Sequence, residues 1–242
     1  MILTVLGRCG PVPRPGEACS GYLVAHGGTE LILDLGSGTL SRLRTIQPDP
    51  EPDAILLSHL HFDHISDLLV YQYLRQMHPD GTERRIPLYL PAGPENIGSL
   101  LDDAWFVKHA VSDGMTVKIG CMTVTFREVR HPVETYAVRI MDPDGHILVY
   151  TGDTGLFEGL ADIVRDADLL LADTAFLESE KPNGVLPHLT VRQAGILARE
   201  AGVKRLLCSH VRGNDPHPEN GLSETDFPSA AFAEEFREYT ID

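Results

Sequence analysis

The sequence contains little cysteine and no long apolar run. Among its 242 residues are four cysteines, Cys9, Cys19, Cys121 and Cys208, and no two of them form a CxxC pair. Such spacing favours neither a disulfide framework nor a cysteine-based zinc site, and free thiols are typical of a reducing cytoplasm. No segment approaches the roughly 18 apolar residues of a membrane span, and residues 1–8 lack the pattern of a signal peptide. We therefore expect a cytoplasmic protein that is not associated with a membrane.

Basic residues are scarce relative to acidic ones. The chain has 20 Lys and Arg against 35 Asp and Glu, a formal net charge of −15. Nucleic-acid binding depends on Lys and Arg that face phosphates, so this charge argues against a long DNA or RNA as partner. A small anion held by a local cation remains possible. The imbalance peaks in residues 215–242, where eight acidic residues accompany one basic residue, and we interpret this segment as an acidic C-terminal extension with a helix near residues 229–238.

The rest of the composition is that of a globular domain, with 43% hydrophobic and 23% charged residues. Without internal repeats or a linker, we expect a single domain over residues 1–242. Apolar and β-branched runs predict strands at 2–6, 22–25, 30–35, 54–57, 87–90, 122–127, 136–141, 147–151, 169–172 and 205–208. Apolar spacing of three and four residues predicts helices at 39–46, 66–77, 156–164 and 190–201. This order favours an α/β (α+β) fold in which helices enclose two sheets over a single parallel sheet.

One short segment concentrates metal-binding side chains. His59, His61, Asp63 and His64 follow the predicted strand 54–57 directly and precede the predicted helix 66–77. Imidazole and carboxylate groups are ligands of Zn²⁺. In an extended loop His59 and His61 project together, while Asp63 and His64 point to a second position. The alternative is a polar loop whose histidines form only local hydrogen bonds.

This HxHxDH motif resembles the signature of the metallo-β-lactamase superfamily. Further residues match the first, third, fourth and fifth motifs of that family in order, and these are Asp34, His131, Asp153 and His210. Each stands at or just after the end of a predicted strand, and the resemblance covers about residues 1–212. It implies a four-layer αββα sandwich of the metallo-β-lactamase type and a site for two metal ions.

The resemblance also implies a distribution of ligands. One ion would be held by His59, His61 and His131, the other by Asp63, His64 and His210, with Asp153 bridging them. Asp34 would orient the metal-binding loop without touching an ion. Zn²⁺ suits this His/Asp set, and so does Mn²⁺.

Two later segments are similar to the ribonuclease Z branch of the superfamily. Asp173 stands where that branch usually has Glu, and His188-Leu-Thr replaces the usual His-Ser-Thr. The resemblance implies that Asp173 positions His188, whereas the alternative is that His188 merely precedes the N-cap of a helix. Only 21 residues separate His131 from Asp153, so the long arm with which ribonuclease Z grips tRNA is absent. The chain thus resembles short ribonuclease Z-like proteins and the related cyclic-nucleotide and cyclic-phosphate phosphodiesterases.

These features predict a metal-dependent phosphodiesterase that acts on a small phosphodiester. Asp63 would aim the attacking hydroxide, and His188, held by Asp173, would protonate the leaving group or bind a phosphate oxygen. The alternatives are an ester, thioester or lactone hydrolase on the same metal site, and a binding protein without activity. The related proteins are commonly dimers, so the resemblance allows a homodimer, for which the sequence itself gives no independent evidence.

Several residues outside the motifs are weaker candidates. Arg8, Arg14, Arg84 and Arg85 can contact a phosphate or lie as ordinary surface charges. Trp105 and Phe106 can cap the cleft, mediate self-association or lie in the core.

Overall fold

Two β-sheets face each other at the centre of the protein. The structure is a computed structural model that describes residues 1–77, 84–181, 184, 186–212 and 218–242. In chain order the strands are β1 Ile2–Gly7, β2 Cys9–Gly10, β3 Gly21–His26, β4 Thr29–Leu35, β5 Ala54–Leu56, β6 Ile86–Leu90, β7 Phe106–Ala110, β8 Thr116–Ile119, β9 Met122–Glu128, β10 Tyr136–Met141, β11 Ile147–Tyr150, β12 Leu169–Asp173, β13 Arg205–Ser209, β14 Val211–Arg212, β15 Ala230–Phe232 and β16 Glu238–Thr240. The first sheet has the order β16-β1-β3-β4-β5-β6-β7 and the second β15-β13-β12-β11-β10-β9-β8, while β2 and β14 form a small parallel pair.

Helices cover the outer faces of both sheets. They are α1 Thr39–Ile46, α2 Phe62–Met77, α3 Glu95–Gly98, α4 Leu160–Val164 and α5 Val191–Glu200, with 3₁₀ turns at Glu178–Glu180 and Pro218–Glu224. Three apolar clusters separate the layers: one between the sheets, one between the first sheet and α1 and α2, and one between the second sheet and α4 and α5. The four-layer αββα sandwich expected from the sequence is thus confirmed. In the described part of the chain, no helix combines the length and apolarity needed to cross a membrane.

The central strands are covered on both faces, and their sequences show it. Every residue of β12 is buried, and β4 is buried at all positions except one. Strands buried on both sides read as nearly continuous apolar runs, which is why the sequence located them well. A capping box begins α5, with the Thr190 side chain accepting from the N–H of Gln193 and the Gln193 side chain accepting from the N–H of Thr190.

The parallel strands of both sheets end at the same edge of the sandwich. In the first sheet β4 runs parallel to β5 and β5 to β6, and in the second β11 runs parallel to β12 and β12 to β13. The loops that follow parallel strands converge at the carboxyl ends of those strands, where α/β proteins place their ligand sites. This edge carries the candidate site.

Three helix predictions differ from the structure. The predicted helix 66–77 begins four residues earlier, at Phe62, and the predicted helix 156–164 is helical only over Leu160–Val164. The helix predicted near residues 229–238 is wrong, because β15 and β16 occupy this segment. There β15 pairs with β13 and β16 pairs with β1, so each strand extends one of the two sheets. Residues 215–217 of the acidic segment lie outside the described residues.

Candidate metal centre

The histidine-rich motif spans a short loop and the first turn of α2. The helix begins at Phe62, so Asp63 and His64 lie on it and not in the loop that the sequence predicted. The backbone N–H of His64 donates to the carbonyl of His61 at 3.0 Å and closes this first turn. Side chains from the loop and from the helix therefore face the same edge of the sandwich.

His59, His61 and His131 form the first group of donors, here called the three-histidine group. His61 Nδ1 lies 2.9 Å from His59 Nε2 and 3.3 Å from His131 Nε2. His59 is fully buried and the other two rings are partly buried. Burial lowers the pKa of all three imidazoles, which keeps them neutral, with a lone pair free for a metal ion.

Asp63, His64 and His210 form a second group, here called the aspartate group. Asp63 Oδ2 lies 3.4 Å from His64 Nε2 and 3.2 Å from His210 Nε2. His210 follows β13 at a left-handed φ of 55°, which turns its side chain toward the site. Gly10 packs against the ring, and a Cβ added there would lie 2.0 Å from His210 Nε2. Only glycine leaves room for this ring.

The charges of the aspartate group are strongly coupled. Burial alone would raise the pKa of Asp63, but the neighbouring imidazoles of His210 and His64 hold it far below its usual value. Burial alone would lower the pKa of His210, but the carboxylates of Asp153 and Asp63 raise it to about 9. In the aspartate group, buried carboxylates therefore favour positive charge.

Asp153 lies between the two groups. It follows β11, and its Oδ2 lies 3.7 Å from His59 Nε2 and 3.2 Å from His210 Nε2. Its Oδ1 lies 3.4 Å from His64 Nε2. One carboxylate thus reaches donors of both groups.

The donors of this cluster fit divalent cations. Asp153 Oδ1 and His64 Nε2 are buried, and neither has a hydrogen-bond partner among the described residues. A buried polar atom without a partner costs about 1–3 kcal/mol, so such atoms mark a position where a ligand belongs. Within each group and Asp153, donor atoms lie within 4.8 Å of one another. Imidazole and carboxylate donors at this spacing can bind metal.

Asp34 supports the cluster from below. It is fully buried in β4, at a left-handed φ of 53°. The backbone N–H of Ser58 donates to Asp34 Oδ1 at 2.8 Å, and the Ser58 hydroxyl donates to Oδ2 at 2.7 Å. His64 Nδ1 and the Tyr150 hydroxyl both lie 2.7 Å from Oδ2. The carboxylate thus fixes the tautomer and orientation of His64, as hydrogen-bond partners of metal-binding histidines commonly do.

Asp173 and His188 lie together beside the cluster. His188 Nδ1 is 2.8 Å from Asp173 Oδ2, which also accepts from the backbone N–H of Thr154 at 3.0 Å. The backbone N–H of Ala175 donates to Asp173 Oδ1 at 3.2 Å. Burial alone would lower the pKa of His188, but Asp173 raises it. Asp173 has a shorter side chain than the Glu that is usual at this position, yet its carboxylate reaches His188.

His188 also lies near the donors described above. Its Nδ1 is 3.9 Å from Asp153 Oδ2, and its ring stacks on that of His210 with centroids 5.0 Å apart. Donor atoms of Asp153, Asp173, His188 and His210 form a further set within 4.8 Å. Geometry alone allows His188 to act as a proton donor or as a ligand.

The side chains of the weaker candidates have contacts outside the donor cluster. Arg8 and Arg14 pair with Glu17, Arg84 lies 3.5 Å from Asp53, and Arg85 donates to the carbonyl of Asp103 at 3.5 Å. Phe106 is fully buried, and Trp105 packs partly buried against the same cluster beneath α2. The core is therefore the correct interpretation of these two aromatic residues.

Sequence reasoning missed one exposed cation next to the site. Arg130 directly precedes His131, and its guanidinium lies over the Phe157 ring, 5.9 Å from the centroid. These three residues line an open cleft of about 530 Å³. A lone arginine at the end of a strand carries no signal that separates it from other surface charges.

Comparisons with known proteins agree with this geometry. Residues 30–211 match the beta-lactamase superfamily domain. An uncharacterized protein of Mycobacterium tuberculosis is 36% identical over 220 residues, which are 86% of this chain and 80% of that protein. The protein named probable metallo-hydrolase YhfI of Bacillus subtilis is 34% identical over 214 residues, 87% of each chain. Ribonuclease Z of Streptomyces coelicolor is 25% identical over 267 residues, 88% of each chain.

Solved structures show the same fold. The crystal structure of YhfI from Bacillus subtilis matches with a TM-score of 0.90 and 31% identity, over 99% of both chains. A diphosphatase from the PhnP family matches with a TM-score of 0.82 and 19% identity, over 100% of this chain and 98% of that one. With the family domain matched across most of the chain and the His/Asp cluster at its expected edge, the chain belongs to the beta-lactamase superfamily, as a metallo-hydrolase with the metallo-β-lactamase fold.

Proposed function

We propose that the chain is a phosphodiesterase that holds two divalent metal ions and hydrolyses a small phosphodiester or cyclic phosphate. The observation that carries this proposal is the pairing of His188 with Asp173 at 2.8 Å, immediately beside the two donor groups that share Asp153. Such a pair can deliver a proton to the alkoxide that an alkyl phosphodiester expels on hydrolysis. The names of two relatives, a ribonuclease Z and a diphosphatase, also point to phosphate chemistry.

The three-histidine group would hold one ion and the aspartate group the other, with Asp153 bridging them. Zn²⁺ fits this set best, and Mn²⁺ is the alternative. When bound, such a pair of ions activates a water for in-line attack and offsets charge on the phosphate oxygens.

The residues of the chain would perform the remaining steps. Asp63, whose carboxylate stays ionised, would accept a hydrogen bond from the attacking water and orient it. His188 would donate its proton to the leaving oxygen, since Asp173 occupies Nδ1 and leaves Nε2 to face the substrate. Asp173 is fixed by two backbone N–H groups, so the imidazole it holds has one orientation. Proton transfer of this kind contributes about 10²–10⁴-fold.

The test combines metal analysis with a substrate panel. Purified protein should contain about two metal ions per chain and cleave bis(p-nitrophenyl) phosphate faster than an aryl thioester or a lactone. The double variant His59→Ala, His61→Ala should lose metal and activity together. Preference for the thioester or lactone would favour carbonyl hydrolysis instead. Full metal content without turnover on any substrate would favour a binding protein.

A further inference from the structure

Two buried tyrosines, one from each sheet, meet beneath the metal centre. Tyr22 lies in β3 of the first sheet and Tyr150 ends β11 of the second. Their ring centroids are 5.2 Å apart, and neither ring is appreciably exposed. Each hydroxyl forms a hydrogen bond to a residue of the opposite sheet, so the pair links the two sheets directly below the site.

The Tyr150 hydroxyl acts on His64 through Asp34. It donates to Asp34 Oδ2 at 2.7 Å, and the same oxygen lies 2.7 Å from His64 Nδ1. Asp34 belongs to β4 of the first sheet, so this bond crosses the sandwich. Losing it would remove the one partner that the second sheet gives Asp34 among the described residues and leave Ser58 and His64.

The Tyr22 hydroxyl acts on His210 through Ser209. Its oxygen lies 2.6 Å from the Ser209 hydroxyl oxygen, in β13 of the second sheet. His210 follows directly, at its left-handed φ of 55°. The contact therefore anchors Ser209. The strained backbone that follows it turns the His210 side chain into the site.

Both chains of hydrogen bonds end at the aspartate group. The three-histidine group has other supports: the Ser58 hydroxyl lies 3.0 Å from His59 Nδ1, and the carbonyl of Pro187 lies 3.1 Å from His131 Nδ1. Of these two supports, only Ser58 is linked to a tyrosine, because its hydroxyl and that of Tyr150 both donate to Asp34 Oδ2. The two histidines of the aspartate group thus depend on the tyrosines more closely than the three-histidine group does.

We propose that Tyr22 and Tyr150 are positioning residues that set the affinity of the aspartate group for its metal ion, with little effect on the three-histidine group. This inference rests on the proposed dinuclear site. Burial raises the pKa of both phenols, so both remain protonated and able to donate throughout the physiological range. In the low-dielectric interior such bonds are strong and directional, and loss of an outer partner typically weakens metal binding about 10–100-fold.

The test is a stepwise metal titration of the apo-protein. Zn²⁺ is added in competition with a chromophoric chelator to the wild type, Tyr150→Phe and Tyr22→Phe. Ser209→Ala removes the same hydrogen bond by changing the partner of Tyr22. It therefore controls for a folding defect caused by the Tyr22→Phe substitution itself. Tyr71→Phe is the matched control, because Tyr71 is equally buried and donates to the carbonyl of Pro50 at 2.7 Å, away from the site.

Two ligand variants identify the steps. His210→Ala should weaken the step that belongs to the aspartate group, and His61→Ala the step that belongs to the three-histidine group. Tyr150→Phe, Tyr22→Phe and Ser209→Ala should each weaken the His210-dependent step by about 10–100-fold and leave the other unchanged. Tyr71→Phe should alter neither step.

The outcomes separate this inference from the function on which it rests. Two bound ions in the wild type, with both steps unchanged or equally weakened in the tyrosine variants, would overturn the inference and leave the dinuclear site standing. Fewer than two ions in the wild type would overturn both.

Discussion

Replacing His188 by alanine should slow the hydrolysis of phosphodiesters with poor leaving groups far more than that of diesters with good ones. His188 Nδ1 is held by Asp173 at 2.8 Å, and the ring lies next to Asp153 at 3.9 Å, within reach of a substrate at the donor cluster. Loss of a general acid costs about 10²–10⁴-fold, or about 3–5 kcal/mol in the barrier. An alkoxide leaving group should show this full loss, whereas p-nitrophenolate leaves without a proton and should show little.

The assay measures kcat/KM over a series of diesters that differ only in the leaving group, with metal content determined for each variant. His146→Ala is the matched control, because His146 Nδ1 lies 3.1 Å from Asp142 Oδ2 in a similar pair at the opposite edge of the same sheet. It should leave the whole series unchanged. Asp173→Asn, which replaces the carboxylate that holds His188, should give the same dependence on leaving group with a smaller loss.

Two results would refute this reasoning. An equal loss across the series would mean that His188 binds a phosphate oxygen and transfers no proton. Loss of a metal ion from His188→Ala would instead make it a ligand, in the set that joins Asp153, Asp173 and His210.

Three further perturbations have defined outcomes. Removing metal with a chelator should abolish hydrolysis and lower the melting temperature, and Zn²⁺ or Mn²⁺ should restore both; activity that survives in metal-free protein would contradict the proposed mechanism. Gly10→Ala should weaken metal binding because its Cβ would lie 2.0 Å from His210 Nε2, whereas Gly98→Ala, with its nearest atom 3.8 Å away, should not. Burial opposes ionisation of Glu17, but hydrogen bonds led by Arg14 lower its pKa from 4.5 to about 2. Ionised Glu17 therefore stabilises the fold at neutral pH, and this contribution is lost as the pH falls from about 4.5 to 2. In urea unfolding of the apo-protein, Glu17→Gln should therefore be less stable than the wild type by up to about 3 kcal/mol at pH 7, and the difference should vanish near pH 2.

The sequence predicted the interior of the fold better than its edges. Strands such as β4 and β12 could be located from the sequence because both of their faces are buried, which gives nearly continuous apolar runs. The edge strands β7 and β8 were missed, since their residues alternate only weakly between buried and exposed. The segment Ala230 to Glu235 has good helix formers, yet pairing with the sheet edges overrides that local preference.

The same contrast holds at the candidate site. The HxHxDH motif is local, so spacing alone brought its residues to attention, and the family resemblance supplied His131, Asp153 and His210. The structure then gathers these side chains at one edge of the sandwich. Tyr22 and Tyr150 meet only because two sheets face each other, and nothing in their local sequence predicts a contact across 128 residues of chain. The local sequence likewise does not predict a role for Gly10, because that role depends on the His210 ring packed against it.

The position of β16 has a consequence for how the protein is made. β1 leaves the ribosome long before β16, the strand near residue 240 that pairs with its outer edge. At about 5–20 residues per second, that edge stays uncovered for roughly 10–50 s of synthesis. An unpaired strand edge is a template for association with other chains. During translation the outer edge of β1 is therefore open to such association until β16 has been made and pairs with it.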